Sequence, residues 1–307
     1  MSEWKALITQ FEASREVMAL ATAVRTTGST YRKAGARLLL NARGRLAGSI
    51  TSGCVEDEIS QLSRSIMDGA EPTLHSFDLL PRFGCQGVID VLVERILPGN
   101  AFLTHAAQAL RTRTTWRAVT VFASSSRPLG SQMLAGELPP ENEALVQTVL
   151  PPVRLVVIGD GLENESLFVL AANLGWDLEI VPTVREVPTP DARTAVVVKA
   201  QKFGRDLAAL QSLLAMPIAY LGLMGPARRK QKLLNALFDG GLVSPNASFS
   251  RLFGPSGLDI GAETPSEVAL AIVAEIQAVL NGHAGGLLRD KRGPVHFAMG
   301  ELKVIES

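Results

Sequence analysis

The sequence predicts an α/β chain of two domains, an N-terminal α+β unit over 1–150 and a Rossmann-like, doubly wound parallel-sheet unit over 151–307. Three observations predict it. A length of 307 residues exceeds one ordinary domain and leaves each half enough chain to bury its own core. The first half mixes helical stripes and strand-like runs irregularly, whereas the second repeats strand then helix, the mark of a parallel sheet covered on both faces. Within 124–152 the segments SSSRP, LPPENE and LPP concentrate turn formers, which suits a linker and a boundary near residue 150.

Trp4, Leu7, Ile8 and Phe11 recur at helical spacing, and VMALATAV then reads as a strand entering the loop RTTGSTYRKAG. RLLL and RLAGSI flank Asn41 to Gly44 as a hairpin, because Asn and Gly tolerate the backbone angles of a tight turn. Val55, Ile59, Leu62 and Ile66 form one apolar stripe on a helix ending near Asp68 and Gly69, which puts Cys54 at a helix start. VIDVLVE and RAVTVFA read as strands separated by the helical stretch AFLTHAAQALR. In the second half RLVVI, DLEIV, TAVVVK and AYLGLM are strands. A closing helix over 264–281 is announced by Thr264, Pro265 and Glu267, which fit N-cap, first-turn and capping-box positions, and Asn281-Gly282 stops it.

Thirty basic and thirty acidic residues cancel, so no general field draws the chain to nucleic acid or an anionic membrane, and an anion site must be local. Two cysteines make no disulfide framework, and the start MSEWKALITQF lacks the regions of a signal peptide, so a reducing cytoplasm is expected. The longest apolar runs are too short to cross a bilayer.

Four places carry candidate chemistry. RTTGSTYRKAGAR offers Gly28, Ser29, Thr30, Arg32, Lys33 and Arg37, that is, backbone donors, hydroxyls and fixed charge for a phosphate or polar heterocycle; the alternative is a basic surface loop. SITSGCVEDE places the Cys54 thiol where a helix dipole favours thiolate, although Glu56, Asp57 and Glu58 oppose a second negative charge; plain packing is the alternative. Cys85 lies in RFGCQGV, framed by Gly84 and Gly87. The cysteines form no CxxC pair, and His75, His105, His283 and His296 are scattered, so spacing argues against a structural zinc site. VVIGDGLENE sets Gly159 and Gly161 between strand and helix, half of a dinucleotide fingerprint whose third position is Asn164; a tight turn explains them equally well. LMGPARRKQKLL puts Arg228, Arg229 and Lys230 in a helix's first turns, where a bound anion would offset their opposition to the dipole, unless they form a solvated basic face.

Taken in order, GSTYRKAGARLLL, GSITSGCVEDE, FGCQGVIDVLVE, the strand–GDG–helix, YLGLMGPARRK, GPSGLDIGAETPSEVALAIVAEI and GPVH resemble the successive motif blocks of the XdhC/CoxI family of xanthine dehydrogenase accessory proteins. The resemblance implies an N-terminal family domain, a C-terminal Rossmann domain, and a chaperone that binds molybdenum cofactor (molybdopterin) and delivers it to a xanthine dehydrogenase-like molybdoenzyme. By carry-over, Gly28, Ser29, Arg32 and Gly35 match the first loop motif, Gly53, Cys54 and Glu56 the second and Cys85 the third, with Cys54 and Cys85 as candidate molybdenum contacts. The chain departs from the family pattern at Gly84-Cys85-Gln86-Gly87, at Gly159-Asp160-Gly161-Leu162, where a histidine is usual, at Pro182-Thr183 and at Lys199-Ala200. A cysteine desulfurase as a second partner and a homodimer are further expectations. Two other readings stand beside it: an NAD(P)-dependent oxidoreductase, for which the missing third glycine and acidic residue predict weak NAD(P) binding or none, and an adaptor that binds the partner enzyme without cofactor.

Overall fold

A computed structural model describes residues 2–53, 55–80, 86–124, 126–134 and 136–291. The chain divides into two compact units, Met1–Pro151 and Pro152–Ser307. Among the described residues no helix is long and apolar enough to cross a membrane.

In the first unit, α1 (Ser2–Ala13) precedes β1 (Met18–Gly28), β2 (Arg37–Asn41), β3 (Gly44–Gly48), α2 (Glu56–Met67), β4 (Thr73–Asp78) and β5 (Gly87–Ile96). The five strands form an antiparallel sheet in the order β3-β2-β1-β5-β4. Side chains alternate across it. Met18, Leu20 and Leu39 join Trp4, Leu7, Ile8 and Phe11 of α1 on one face. Ala19, Ala21 and Ala23 pack on the other with Ile59 and Ile66 of α2. The sequence reads the strand after α1 as ending before RTTG. In the structure β1 runs on to Gly28, because a bulge at Val24 shifts the register and lets Arg25 to Gly28 pair with β5.

α3 (Ala101–Arg111) follows, capped by the Asn100 side chain, which accepts the Leu103 N–H. A second sheet is built from β6 (Trp116–Val121), β7 (Gly130–Met133) and β8 (Ala144–Val149) in the order β7-β6-β8. The proline- and serine-rich stretch read as linker therefore carries two strands. Both pair with β6, so long-range pairing overrides local turn propensity there.

The second unit holds a parallel sheet of β9 (Arg154–Ile158), β10 (Asp177–Val181), β11 (Thr194–Val198), β12 (Tyr220–Leu223) and β13 (Leu252–Phe253), in the order β10-β9-β11-β12-β13. Both faces are covered. α4 (Glu163–Asn173) and α7 (Pro265–Leu280) bury Leu167, Ala171, Ile272 and Ile276 on one side. α5 (Phe203–Leu213) and α6 (Ala227–Asp239) bury Leu210, Leu213, Leu233 and Leu237 on the other. This is the doubly wound, Rossmann-like class. The start of α7 is a complete capping box: the Thr264 side chain accepts the Glu267 N–H, and the Glu267 carboxylate accepts the Thr264 N–H.

Candidate functional site

The antiparallel order of the first sheet collects three loops at one of its ends. β1, β3 and β4 finish there, and β2 and β5 begin there, so the chain leaves Gly28, Gly48 and Asp78 at the same end at which it re-enters the sheet at Arg37 and Gly87. Their bases are tied to one another. Gly28 has φ +70°, and a Cβ on it would lie 2.1 Å from the Gln86 carbonyl oxygen; only glycine lets the first and third segments approach so closely. The Ser29 N–H donates to that same carbonyl at 2.9 Å. Arg32 donates to Glu3 Oε2 at 2.8 Å and to Ser49 Oγ at 3.1 Å, joining the first segment to α1 and to the base of the second. Glu3 Oε1 accepts the Ser49 N–H at 3.3 Å and completes the junction. Gly35 donates its N–H to the Ala23 carbonyl at 2.7 Å, closing the first segment onto β1.

The second segment is wound around one carboxylate. Glu56 Oε1 accepts the Ile50 and Thr51 N–H groups at 3.2 and 2.8 Å, while Oε2 accepts the Thr51 hydroxyl at 2.5 Å and the Val55 N–H at 3.2 Å. Burial pushes this carboxyl up, but the Thr51 hydroxyl and the Thr51, Glu56 and Val55 N–H groups outweigh it and hold it below the usual glutamate range. Glu56, one of the three first-turn carboxylates that in the sequence oppose a Cys54 thiolate, is thus held ionised by the loop's own donors. Ser52 and Gly53 face outward, and the space beside Gly53 is open.

Placed residue by residue, Gly28, Ser29, Arg32, Gly35, Gly53 and Glu56 all belong to this one end. Cys54 and Cys85 lie outside the described residues, as does His296. Arg37 does not belong to the ligand loop as its sequence neighbourhood suggests. Its side chain is 1% exposed, lies over the Trp4 ring at 4.5 Å, and donates to Gln147 Oε1, the Gly35 carbonyl and Thr120 Oγ1. Burial lowers its pKa to about 10 against the pull of the Glu94 and Glu3 carboxylates. Buried Glu94, which accepts the Ser131 N–H at 2.8 Å, is pushed up by burial. Arg37 and Glu94 therefore fasten the small sheet to the large one, a role that separations of 83 and 110 residues hide from sequence reading. Thr30 Oγ1, by contrast, is buried at the loop end with no hydrogen-bond partner among the described residues.

In the second unit the strand order reverses between β9 and β11, the point outside whose carboxyl ends a doubly wound sheet of this 2-1-3-4-5 order seats its ligand. Gly159 and Gly161 stand there. Asn164, at the third fingerprint position, donates through Nδ2 to the Gly159 carbonyl at 3.3 Å and so braces the turn. The space above Gly161 is filled: a Cβ on it would lie 2.5 Å from Lys199 Nζ and 2.6 Å from Glu163 Oε2. Lys199 leaves the end of β11 with its side chain 1% exposed and is paired with Glu163 at 2.7 Å. Burial pushes Glu163 up, but the Lys199 ammonium and the backbone N–H of Glu163 prevail and hold it below the usual range. In the sequence Lys199 stands out only as a departure from the family pattern, since nothing local announces a partner 36 residues away.

The first turns of α6 divide likewise. Arg228 is exposed, whereas Arg229 donates through Nε and a terminal nitrogen to Oδ2 of Asp206, a carboxylate of α5 that is 1% exposed. The other oxygen of Asp206 is buried without a partner among the described residues. Among those residues no group of three or more His, Cys, Asp or Glu side chains is arranged to hold a metal ion. A cleft of about 460 Å³ between α2 and β4, lined in part by Glu58, Gln61 and His75, includes none of the sequence-predicted site residues.

An antiparallel α+β unit with a three-loop end, followed by a Rossmann-like unit, defines a two-domain protein whose family can be read from comparison. Residues 12–78 match the XdhC and CoxI family and residues 155–276 match the XdhC Rossmann domain; the chain belongs to the XdhC/CoxI family. It is 26% identical over 331 residues to a Bacillus subtilis (strain 168) protein named as a probable xanthine dehydrogenase subunit, covering 90% of this chain and 97% of that one. It is 25% identical over 280 residues to the Escherichia coli (strain K12) molybdenum cofactor insertion chaperone PaoD, covering 85% of this chain and 82% of the relative. A crystal structure from Bacillus halodurans, described as a xanthine dehydrogenase, has the same fold, with a TM-score of 0.75 at 22% identity over 92% of this chain and 96% of that one.

Proposed function

We propose that this protein is an accessory factor that receives molybdenum cofactor at the three-loop end of its N-terminal unit and delivers it to a xanthine dehydrogenase-like molybdoenzyme. The observation that supports the proposal is that the strand ends flanking the family's three loop motifs share one end of the first sheet, where Ser29 is tied to Gln86 and Arg32 to Ser49. The names of the Bacillus subtilis and Escherichia coli relatives support the class of cargo and of partner. The donor set fits a pterin that carries a phosphate. Thr30 Oγ1 is a buried hydroxyl with no hydrogen-bond partner among the described residues, exposed Ser29 and Lys33 add a second hydroxyl and a cation, and the open side of Gly53 leaves room. Arg32 acts as a brace, its guanidinium taken by Glu3 and Ser49. Cys54 and Cys85 belong in sequence to the second and third of these motifs, and a soft thiolate suits molybdenum.

The test is to purify the full chain from a host that makes the cofactor and assay pterin fluorescence and molybdenum content. The expected result is co-purification in wild type and roughly tenfold less after Arg32→Ala, because a displaced loop loses pre-organisation. Absence of both signals, with no uptake on reconstitution, overturns the proposal. Equal activation of the partner enzyme by wild type and by an Arg32→Ala, Cys54→Ala double variant would replace it with a cofactor-free adaptor.

A further inference from the structure

The C-terminal crevice has the topology of a nucleotide site, and its interior is already occupied. A dinucleotide crevice needs a bare glycine Cα after the first strand, so that a pyrophosphate can reach the backbone N–H groups at the helix start. Gly161 keeps that bare Cα, yet the atoms standing over it are Lys199 Nζ and Glu163 Oε2. We propose that Glu163 and Lys199 form a built-in plug that fills the phosphate seat of the C-terminal crevice and closes it to dinucleotides.

Three observations carry this. First, the ammonium of Lys199 is 1% exposed, and a cation so buried holds its charge only against a close partner; Glu163 supplies it at 2.7 Å. Second, Glu163 opens α4, where a carboxylate meets the positive end of the helix as an incoming phosphate would. A tethered carboxylate competes at a high effective concentration that a dissolved nucleotide has to exceed. Third, a second basic side chain after the sheet's carboxyl ends is engaged in the same way, Arg229 by Asp206, whose Oδ1 is buried with no partner among the described residues. The inference concerns the second unit alone and does not depend on where the first holds cofactor.

The experiment is calorimetric titration of the full chain with NADH and with inorganic pyrophosphate. Wild type is expected to bind neither saturably. Glu163→Ala, which empties the seat and leaves the buried cation facing it, is expected to bind pyrophosphate at least about tenfold more tightly than wild type, and a Glu163→Ala, Lys199→Met double variant to lose that gain. Saturable NADH binding by wild type overturns the plug. So does a folded Glu163→Ala protein with no gain, or a gain that survives in the double variant and so lies elsewhere. Should Glu163→Ala not fold, Glu163→Gln keeps the volume and removes the charge, and a gain of about threefold is then expected; no gain in that variant overturns the plug equally.

Discussion

The two units use charge in opposite ways at their candidate sites. At the three-loop end of the N-terminal unit, Arg32 and Glu56 stiffen the loop bases from behind while Ser29, Lys33, Ser52 and Gly53 face outward. At the C-terminal switch point the charged groups stand in the seat itself, Lys199 against Glu163 over Gly161. A fold with a recognised ligand position therefore says where a ligand would go and leaves open whether there is space for one. Here the topology favours the second unit and the side-chain chemistry favours the first.

The largest effect that would break this comparison lies in the plug. Glu163→Ala leaves Lys199 buried and unpaired, and a loss of about 3–5 kcal/mol in unfolding free energy at neutral pH is expected by chemical denaturation. Replacing both members, Glu163→Leu with Lys199→Met, should restore most of it, because two apolar groups of similar size need no pairing. The pH dependence has a definite sign. Glu163 titrates lower in the folded protein than in the unfolded chain, so its stabilisation is complete above the unfolded value and is lost as pH falls through the folded one. The gap between wild type and Glu163→Ala should therefore narrow in acid. A gap that is constant with pH would show that the carboxylate charge contributes nothing.

Next in size is the buried arginine of the first unit. Arg37→Met removes donors from Gln147, Gly35 and Thr120, and about 2–3 kcal/mol of destabilisation is expected in a thermal melt. Because Arg37 faces the interior, protein that still folds should retain cofactor as wild type does, whereas Arg32→Ala, with a smaller loss of stability, should lose it. If the two variants behaved alike, the distinction between interior arginine and loop brace would fail.

Gly28 and Gly53, two of the glycines at the loop end, separate packing from backbone preference. Gly28→Ala forces a Cβ into the Gln86 carbonyl in addition to adopting φ +70°, and about 2 kcal/mol together with displaced loops is expected. Gly53 has φ +114° with nothing within 4 Å of its missing Cβ. Gly53→Ala should cost about 1 kcal/mol from backbone strain alone and leave the partners of Arg32 in place. Hydrogen exchange at Ser29, which donates to Gln86, reads the difference: faster in the first variant, unchanged in the second.

How much of this was legible in the sequence follows from the range of each interaction. The α1 stripe of Trp4, Leu7, Ile8 and Phe11, the Asn41 to Gly44 hairpin and the Thr264 capping box are local patterns, and each stands as read. The alternation of strands and helices past residue 153 likewise announces a parallel sheet. Strands β7 and β8 were hidden because their partner β6, and not their own turn-rich composition, makes them strands. The burial of Arg37, the Lys199–Glu163 pair and the capture of Arg229 by Asp206 join separate elements, and no spacing rule reaches across them. The loop motifs were legible one by one. That the strands flanking them start and finish at one sheet end follows from the order β3-β2-β1-β5-β4, which residue patterns alone leave unspecified.

The smallest effect tests the carboxylate at the centre of the second loop. Glu56→Gln keeps an oxygen for the Ile50 and Thr51 N–H groups but turns an amide donor towards the Val55 N–H, so one favourable contact becomes donor against donor. Because the group is only partly buried, solvent screens the change, and a loss of about 1 kcal/mol is expected. The functional consequence should be larger than the stability figure suggests, since the contacts of Glu56 order the chain on both sides of Cys54. Backbone exchange at Thr51 and Val55 should quicken, and retained pterin should fall by about threefold. The sign with pH follows from the lowered folded value: the contribution of Glu56 is complete above its unfolded pKa and disappears as pH falls through the folded one, so wild type and Glu56→Gln should converge in acid. Faster exchange without loss of pterin would separate the clamp from the cargo and confine the site to the segments around Ser29 and Gln86.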